Sequence, residues 1–78
     1  MRKKELMTVL SFAATTDAMA LEAKCREEGM PGRIIPTPSA VSAGCGLSWA
    51  LPVLYKEEMF SFCETRGLIY QKATDLVI

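Results

Sequence analysis

The chain's 78 residues include three cysteines and no histidine, so its reactive side chains are thiols without an imidazole to serve them. One thiol stands apart. Cys45 lies in "SAVSAGCGLSW", between Gly44 and Gly46 in a stretch of serine and alanine, whereas a cysteine used for packing keeps large apolar neighbours. A thiol in such a loop can act as a nucleophile that takes up another sulfur or selenium atom, or as a site of reversible oxidation. Cys25 and Cys63 fall at helical spacing among apolar residues and are expected in the core. Lack of histidine excludes a His-based triad, imidazole acid–base catalysis and a histidine metal site. There is no C-x-x-C, which removes thioredoxin-type exchange and paired-thiolate metal carriage. A three-cysteine metal site would need two thiols to leave the core, so no metal is expected. No phosphate-cradling glycine motif precedes a helix, and Glu57 and Glu58 fall where helical charge is ordinarily solvated.

Composition narrows the partners. A chain of 78 residues is expected to form one domain over 1–78, with 1–5 and 73–78 as ends that are flexible or depend on a partner. Nine basic and nine acidic residues leave no net charge, so no basic field is available to hold nucleic acid. Half the residues are hydrophobic, which together with zero charge suits self-association. The opening "MRKKELMTVLSFAATTDAMALEA" has a basic start and an apolar run, but Glu5, Asp17 and Glu22 interrupt the pattern a secretory signal needs. No apolar stretch approaches the ~20 residues that span a bilayer. Three cysteines without framework spacing fit a reducing compartment, so the expected location is cytoplasmic, away from membranes.

The elements that must position Cys45 can be read in order. "MTVLSFA" (7–13) is β-prone and apolar on both faces, as in a central strand. Thr15 and Thr16 supply N-caps for a helix over "DAMALEAKCREEG" that ends at Gly29, with an inward stripe of Ala14, Ala18, Leu21 and Cys25. "RIIPTP" (33–38) is a strand whose Pro36 and Pro38 lack donors on the same side, which places it at a sheet edge. "LSWAL" (47–51) is a strand with Leu47, Trp49 and Leu51 on one face. A helix over "LYKEEMFSFCETRG" (54–67) turns Met59, Phe60, Phe62 and Cys63 inward, and "LIYQK" (68–72) reads as the last strand. The apolar tail "ATDLVI" finds no place in this reading.

The order β-α-β-β-α-β specifies an α+β, ferredoxin-like fold: a four-stranded antiparallel sheet in order 4-1-3-2 with both helices on one face. The bare face, apolar around Val9 or Trp49, is expected to form a homodimer. Because each element reverses direction, the loop before the third strand falls at the end where the first strand enters the first helix. Cys45 is therefore expected near Thr15, Thr16 and that helix start, with Arg66 at the same pole. Helix N-termini offer unpaired N–H groups and partial positive charge, and they favour thiolates. Gly44 and Gly46 would let the backbone turn sharply and gather N–H groups into an anion nest. Ser42 adds a hydroxyl, while Asp17 at the same helix end opposes the effect. The plainer readings are a tight connection at Gly44–Gly46, caps at Thr15 and Thr16, and a core or interface anchor at Trp49.

In "TTDAMALEA", "GRIIPTP" and "SAGCGLSW", in this order and spacing, the chain resembles a family of small bacterial proteins, the Se/S carrier protein-like family. The resemblance covers nearly the whole chain. It implies a carrier whose motif cysteine, here Cys45, receives sulfur or selenium from one protein and delivers it to another, with no cofactor beyond the transient cargo. Ser39 departs from the family, where a basic residue often follows the second proline. Arg33 or Arg66 would then have to supply the cation. Three readings stay open: a carrier rather than a catalyst, a small dimeric interaction or regulatory module in which the Cys45 loop is structural, and a thiol redox sensor.

Overall fold

A computed structural model describes residues 4–41 and 44–78. The elements are β1 (Leu6–Ser11), α1 (Thr15–Glu28), β2 (Arg33–Pro36), β3 (Leu47–Pro52), a 3-10 turn (Val53–Tyr55), α2 (Lys56–Arg66) and β4 (Lys72–Val77). The strands form one antiparallel sheet in the order β2-β3-β1-β4, which read from the other edge is the expected 4-1-3-2. The register sets Leu10 opposite Trp49, and Trp49 opposite Ile34 on its other side. Side chains directly opposite share a sheet face. Leu10, Phe12, Trp49 and Leu51 accordingly meet Ala18, Leu21 and Cys25 of α1 and Met59, Phe62 and Cys63 of α2 in one buried cluster. Both helices thus cover the same face.

Trp49 therefore belongs to the helix side and not to a bare face. The opposite face carries a smaller cluster of Met7, Val9 and Ala50, with Ile35, Leu76 and Ile78 packed against it. Pro36 lies on β2 at the sheet edge, as its missing donor requires, while Pro38 falls beyond the strand. No described helix is long and apolar enough to cross a membrane.

The last strand is the main correction. β4 spans Lys72–Val77, not 68–72, and pairs along the full length of β1, from Leu6↔Val77 to Ser11↔Lys72. The unplaced tail "ATDLVI" is thus most of an edge strand. Leu68–Gln71 instead forms the return from α2, where Leu68 and Tyr70 pack on the main cluster and the Gln71 N–H donates to Ser11 O at 2.7 Å. Asp75 in β4 accepts from Thr8 Oγ1 at 2.9 Å and from Lys56 Nζ at 2.9 Å. Those two bonds hold the Asp75 carboxyl below the usual range, with the Lys56 bond the stronger cause.

Helix ends also differ from expectation in detail. α1 starts at Thr15 with Ala14 as its N-cap in an extended conformation, so neither Thr15 nor Thr16 is the cap, and no side chain caps the helix. Ala14 itself is exposed rather than part of the inward stripe. Both helices close on the expected glycines, Gly29 and Gly67.

Candidate functional site

The segment from Thr37 to Gly46 connects β2 to β3, and its described part is held by backbone and hydroxyl bonds rather than by a helix dipole. Thr37 is the central brace. Its N–H donates to Gly46 O at 2.9 Å and its hydroxyl donates to Cys45 O at 3.1 Å. Having used its single proton there, the Thr37 oxygen accepts from the fully buried Ser48 hydroxyl at 2.9 Å. Replacing Thr37 by valine keeps the shape but removes both bonds and strands the Ser48 hydroxyl in the interior. The expected loss is about 1–3 kcal/mol, measurable by urea unfolding, and Thr37→Ser should recover most of it.

On its other side the loop leans on the end of β1. The Cys45 N–H donates to Phe12 O at 3.1 Å. Gly44 lies so close to Ala13 that an added Cβ would fall 2.7 Å from the Ala13 carbonyl oxygen, so only glycine fits. The Gly44 N–H reaches Gln71 Oε1 at 3.4 Å. Phe12 and Ala13 lead directly into α1, and the loop thus stands at the end of the molecule where α1 begins, as the topology predicted.

The environment of the sulfur follows from a break in the β1–β3 ladder. With Ser11 opposite Ser48, the next step would bring Leu47 opposite Phe12. Phe12 O instead accepts from Cys45, and the Leu47 peptide turns to the sulfur. Its N–H donates to Cys45 Sγ at 3.3 Å, and its carbonyl accepts from Sγ at the same distance. The amide that serves the sulfur is thus that of Leu47, one residue beyond Gly46. An amide bond to sulfur strengthens when the sulfur carries charge. Cys45 is half-buried, with one side against the main cluster.

Several expected participants are placed elsewhere. Gly44 and Gly46 both lack a positive φ, and the N–H groups of Gly44 and Cys45 are taken by Gln71 and Phe12, so the two glycines do not form the expected nest. Gly46 faces open space. Thr15 and Thr16 are exposed on the first turn of α1 and make no side-chain hydrogen bond to the loop among the described residues. Asp17 occupies the same turn, its N–H bonded to Ala14 O at 3.1 Å. Ser42 lies outside the described residues.

Neither arginine reaches the loop. Arg33 opens β2 opposite Ala50, three positions before Pro36, or about 10 Å down the strand from the Cys45 end. Arg66 binds both carboxylate oxygens of Glu28, with Nε 2.6 Å from Oε2, and its guanidinium lies 4.0 Å from the Phe62 ring centre. Glu28 ends α1, a helix of 14 residues and so about 20 Å long. Arg66 is therefore at the far end of α1 from the loop, not at the pole that chain reversal alone suggested. The bond to Arg66 holds the Glu28 carboxyl below its ordinary range and raises the guanidinium in return.

Sequence reasoning missed Thr37, Ser48 and Gln71 as braces and Lys72 as an exposed cation opposite Ser11, at the loop end of the sheet. Thr37 had a signal: it stands between two prolines, where the edge strand must end and turn. Gln71 and Lys72 had none while 68–72 was read as the last strand.

Cys25 and Cys63 are only 1% and 2% exposed, in the core between the helices. Burial, followed by the neighbouring Cys63 and Glu28, pushes the Cys25 thiol up to about 11, and burial raises Cys63 as well. Cys45 alone of the three thiols lies outside the buried core.

A family model described as "Putative Se/S carrier protein-like" matches residues 7–74, which include β1 from its second residue, both helices and the Cys45 loop. No curated protein and no solved structure matches the chain.

Proposed function

The chain belongs to the Se/S carrier protein-like family, and on that footing we propose that it carries sulfur or selenium as a persulfide or selenosulfide on Cys45. The Cys45 thiolate attacks the outer sulfur of a donor protein's persulfide, forms the new sulfur–sulfur bond, and releases the donor cysteine as thiolate. Delivery is the reverse: an acceptor nucleophile attacks the outer atom and Cys45 leaves as thiolate. Each step moves one chalcogen atom and consumes no external oxidant or reductant. The selenium case replaces only the outer atom.

The observation that carries this reading is the division among the three thiols. Two are sealed between helices, while the third sits half-exposed in a loop braced from three sides, by Thr37, Phe12 and Gln71. The Leu47 N–H supports charge on the sulfur as it gains or loses cargo. The partners are a donor and an acceptor enzyme. Thr15 and Thr16 retain a part only if the loop approaches the helix start more closely in the complex, and the cationic support comes from the partner or from Lys72.

The test is to incubate the purified protein with a cysteine desulfurase and cysteine and to weigh it intact. The expected result is a gain of one sulfur mass, mapped to Cys45, reversed by a thiol reductant and lost in Cys45→Ser. A protein that gains no sulfur while the desulfurase turns over is not a carrier, and the interaction-module reading then takes its place. Oxygen adducts formed with peroxide, without sulfur uptake, would favour the redox sensor.

A further inference from the structure

The outer side of α2 and the segment after it border an open groove of about 460 Å³, lined by Glu57, Phe60, Ser61, Glu64, Leu68 and Tyr70, with Cys63 at its base. The wall is aromatic: the Phe60 and Tyr70 rings stack with centres 6.0 Å apart and planes within 15°. The rim is acidic, and its charge is not compensated. Lys56 is held by Asp75 and Arg66 by Glu28, so both cations of α2 are spent on carboxylates of other elements. Glu57, Glu58 and Glu64 have no cationic partner among the described residues. Burial, with the charges of Cys63 and Glu64 behind it, raises the Tyr70 hydroxyl.

The groove is also joined to the loop. Its wall residues Leu68 and Tyr70 belong to the return segment that continues into Gln71, whose Oε1 accepts from the Gly44 N–H next to Cys45. The segment that forms the wall thus also braces the loop that carries Cys45.

We propose that this groove is the docking site for a segment of a partner protein that carries an apolar or aromatic anchor flanked by lysines or arginines. Charge selects the occupant. A second copy of this chain is a poor match: among its described cations Lys24, Arg26, Lys56 and Arg66 already hold carboxylates, and Lys4, Arg33 and Lys72 are spread singly before β1 and at the starts of β2 and β4 rather than gathered around one anchor. A foreign basic segment would offer free cations to Glu57 and Glu64 while its anchor covers Phe60 and Tyr70. Such pairs raise the rate of encounter and choose the partner more than they deepen affinity. The partner's role as chalcogen donor or acceptor rests on the carrier reading above; the docking itself does not.

Two fluorescein-labelled peptides test the site, one with a Leu-Phe pair flanked by lysines and arginines and one with the same pair flanked by glutamates. Fluorescence anisotropy at low salt should show binding of the basic peptide alone, weakening as salt is added. The double variant Glu57→Lys with Glu64→Lys should bind it about tenfold less. Glu58→Lys, on the other side of α2 and facing a separate groove, should change it little. Equal binding of the glutamate peptide, full binding by the double variant, or an equal loss in Glu58→Lys would each overturn the proposal. Inorganic polysulfide should load Cys45 equally in the wild type and the double variant, whereas loading by a desulfurase should slow in the variant. Peptide binding without any sulfur uptake would sink the carrier reading and leave the groove standing. Sulfur uptake without peptide binding would do the opposite.

Discussion

Iodoacetamide added to the native protein will modify Cys45 and leave Cys25 and Cys63 untouched until the chain unfolds. Two independent factors protect the inner pair. The first is access: at 1% and 2% exposure neither residue offers the reagent more than a sliver of surface until the fold opens locally, and an opening that costs about 5 kcal/mol is populated once in several thousand. The second is ionisation, because the thiolate is the nucleophile. With the Cys25 thiol pushed up to about 11, its reactive fraction at mildly alkaline pH is roughly a hundredfold below that of an ordinary thiol near pKa ~8.5. Intact mass should therefore show a single adduct within minutes and no second one on that scale, and three after addition of guanidinium. The Cys45→Ser variant should show none in the native state. In a folded chain that does react at Cys25, its rate should keep rising with pH until about 11. Two or three adducts formed together at comparable rates without denaturant would show that the helices do not seal the inner cysteines, and the selectivity on which the proposed carriage depends would be gone.

Gly32→Ala should lower stability by roughly 3 kcal/mol, a drop in Tm on the order of 15 °C for a chain of this size. Gly32 has φ +123°, a region that residues with a Cβ rarely enter. The space is closed as well. An added Cβ would lie 2.7 Å from Ala50 O and would overlap the Trp49 indole nitrogen. Neither neighbour can give way: Ala50 O belongs to β3, and the Trp49 ring is buried, with its N–H donating to Pro31 O at 3.3 Å. A calorimetric scan beside the wild type measures the loss. Gly46→Ala is the control, since its added Cβ meets nothing within 4 Å and its φ is not positive. A similar Tm for both variants would mean that the turn at Gly32 is not held against β3 as described.

The sheet order was legible because prolines and two-faced apolar runs constrain strands in ways that survive without coordinates. Pro36 had to sit on an edge, and "MTVLSF" had to be central. The last strand was misread because "LIYQK" has the stronger β composition, whereas "KATDLV" is chosen by register. Six residues of β1 need six partners, and Asp75 is tolerated there only because Lys56 and Thr8 meet it. The position of Cys45 followed from chain direction alone. Its surroundings did not. Two flanking glycines suggested left-handed backbone, but Gly44 is required by contact with Ala13 and Gly46 has no such demand. The Leu47 amide became available only because Phe12 O changed partner, an event of register that residue types do not announce. Arg66 was misplaced for a related reason: topology gives a helix its direction but not its tilt, and the pair with Glu28 shows where its end lies.

The proline on β2 has one more effect. With that margin denied to an incoming strand, sheet extension between molecules is left with β4. Two copies joined β4 to β4 would present only their proline-bearing margins outward, and a third could not be added by the same route. Edge-to-edge addition is thus disfavoured beyond a pair, which works against growth into a filament.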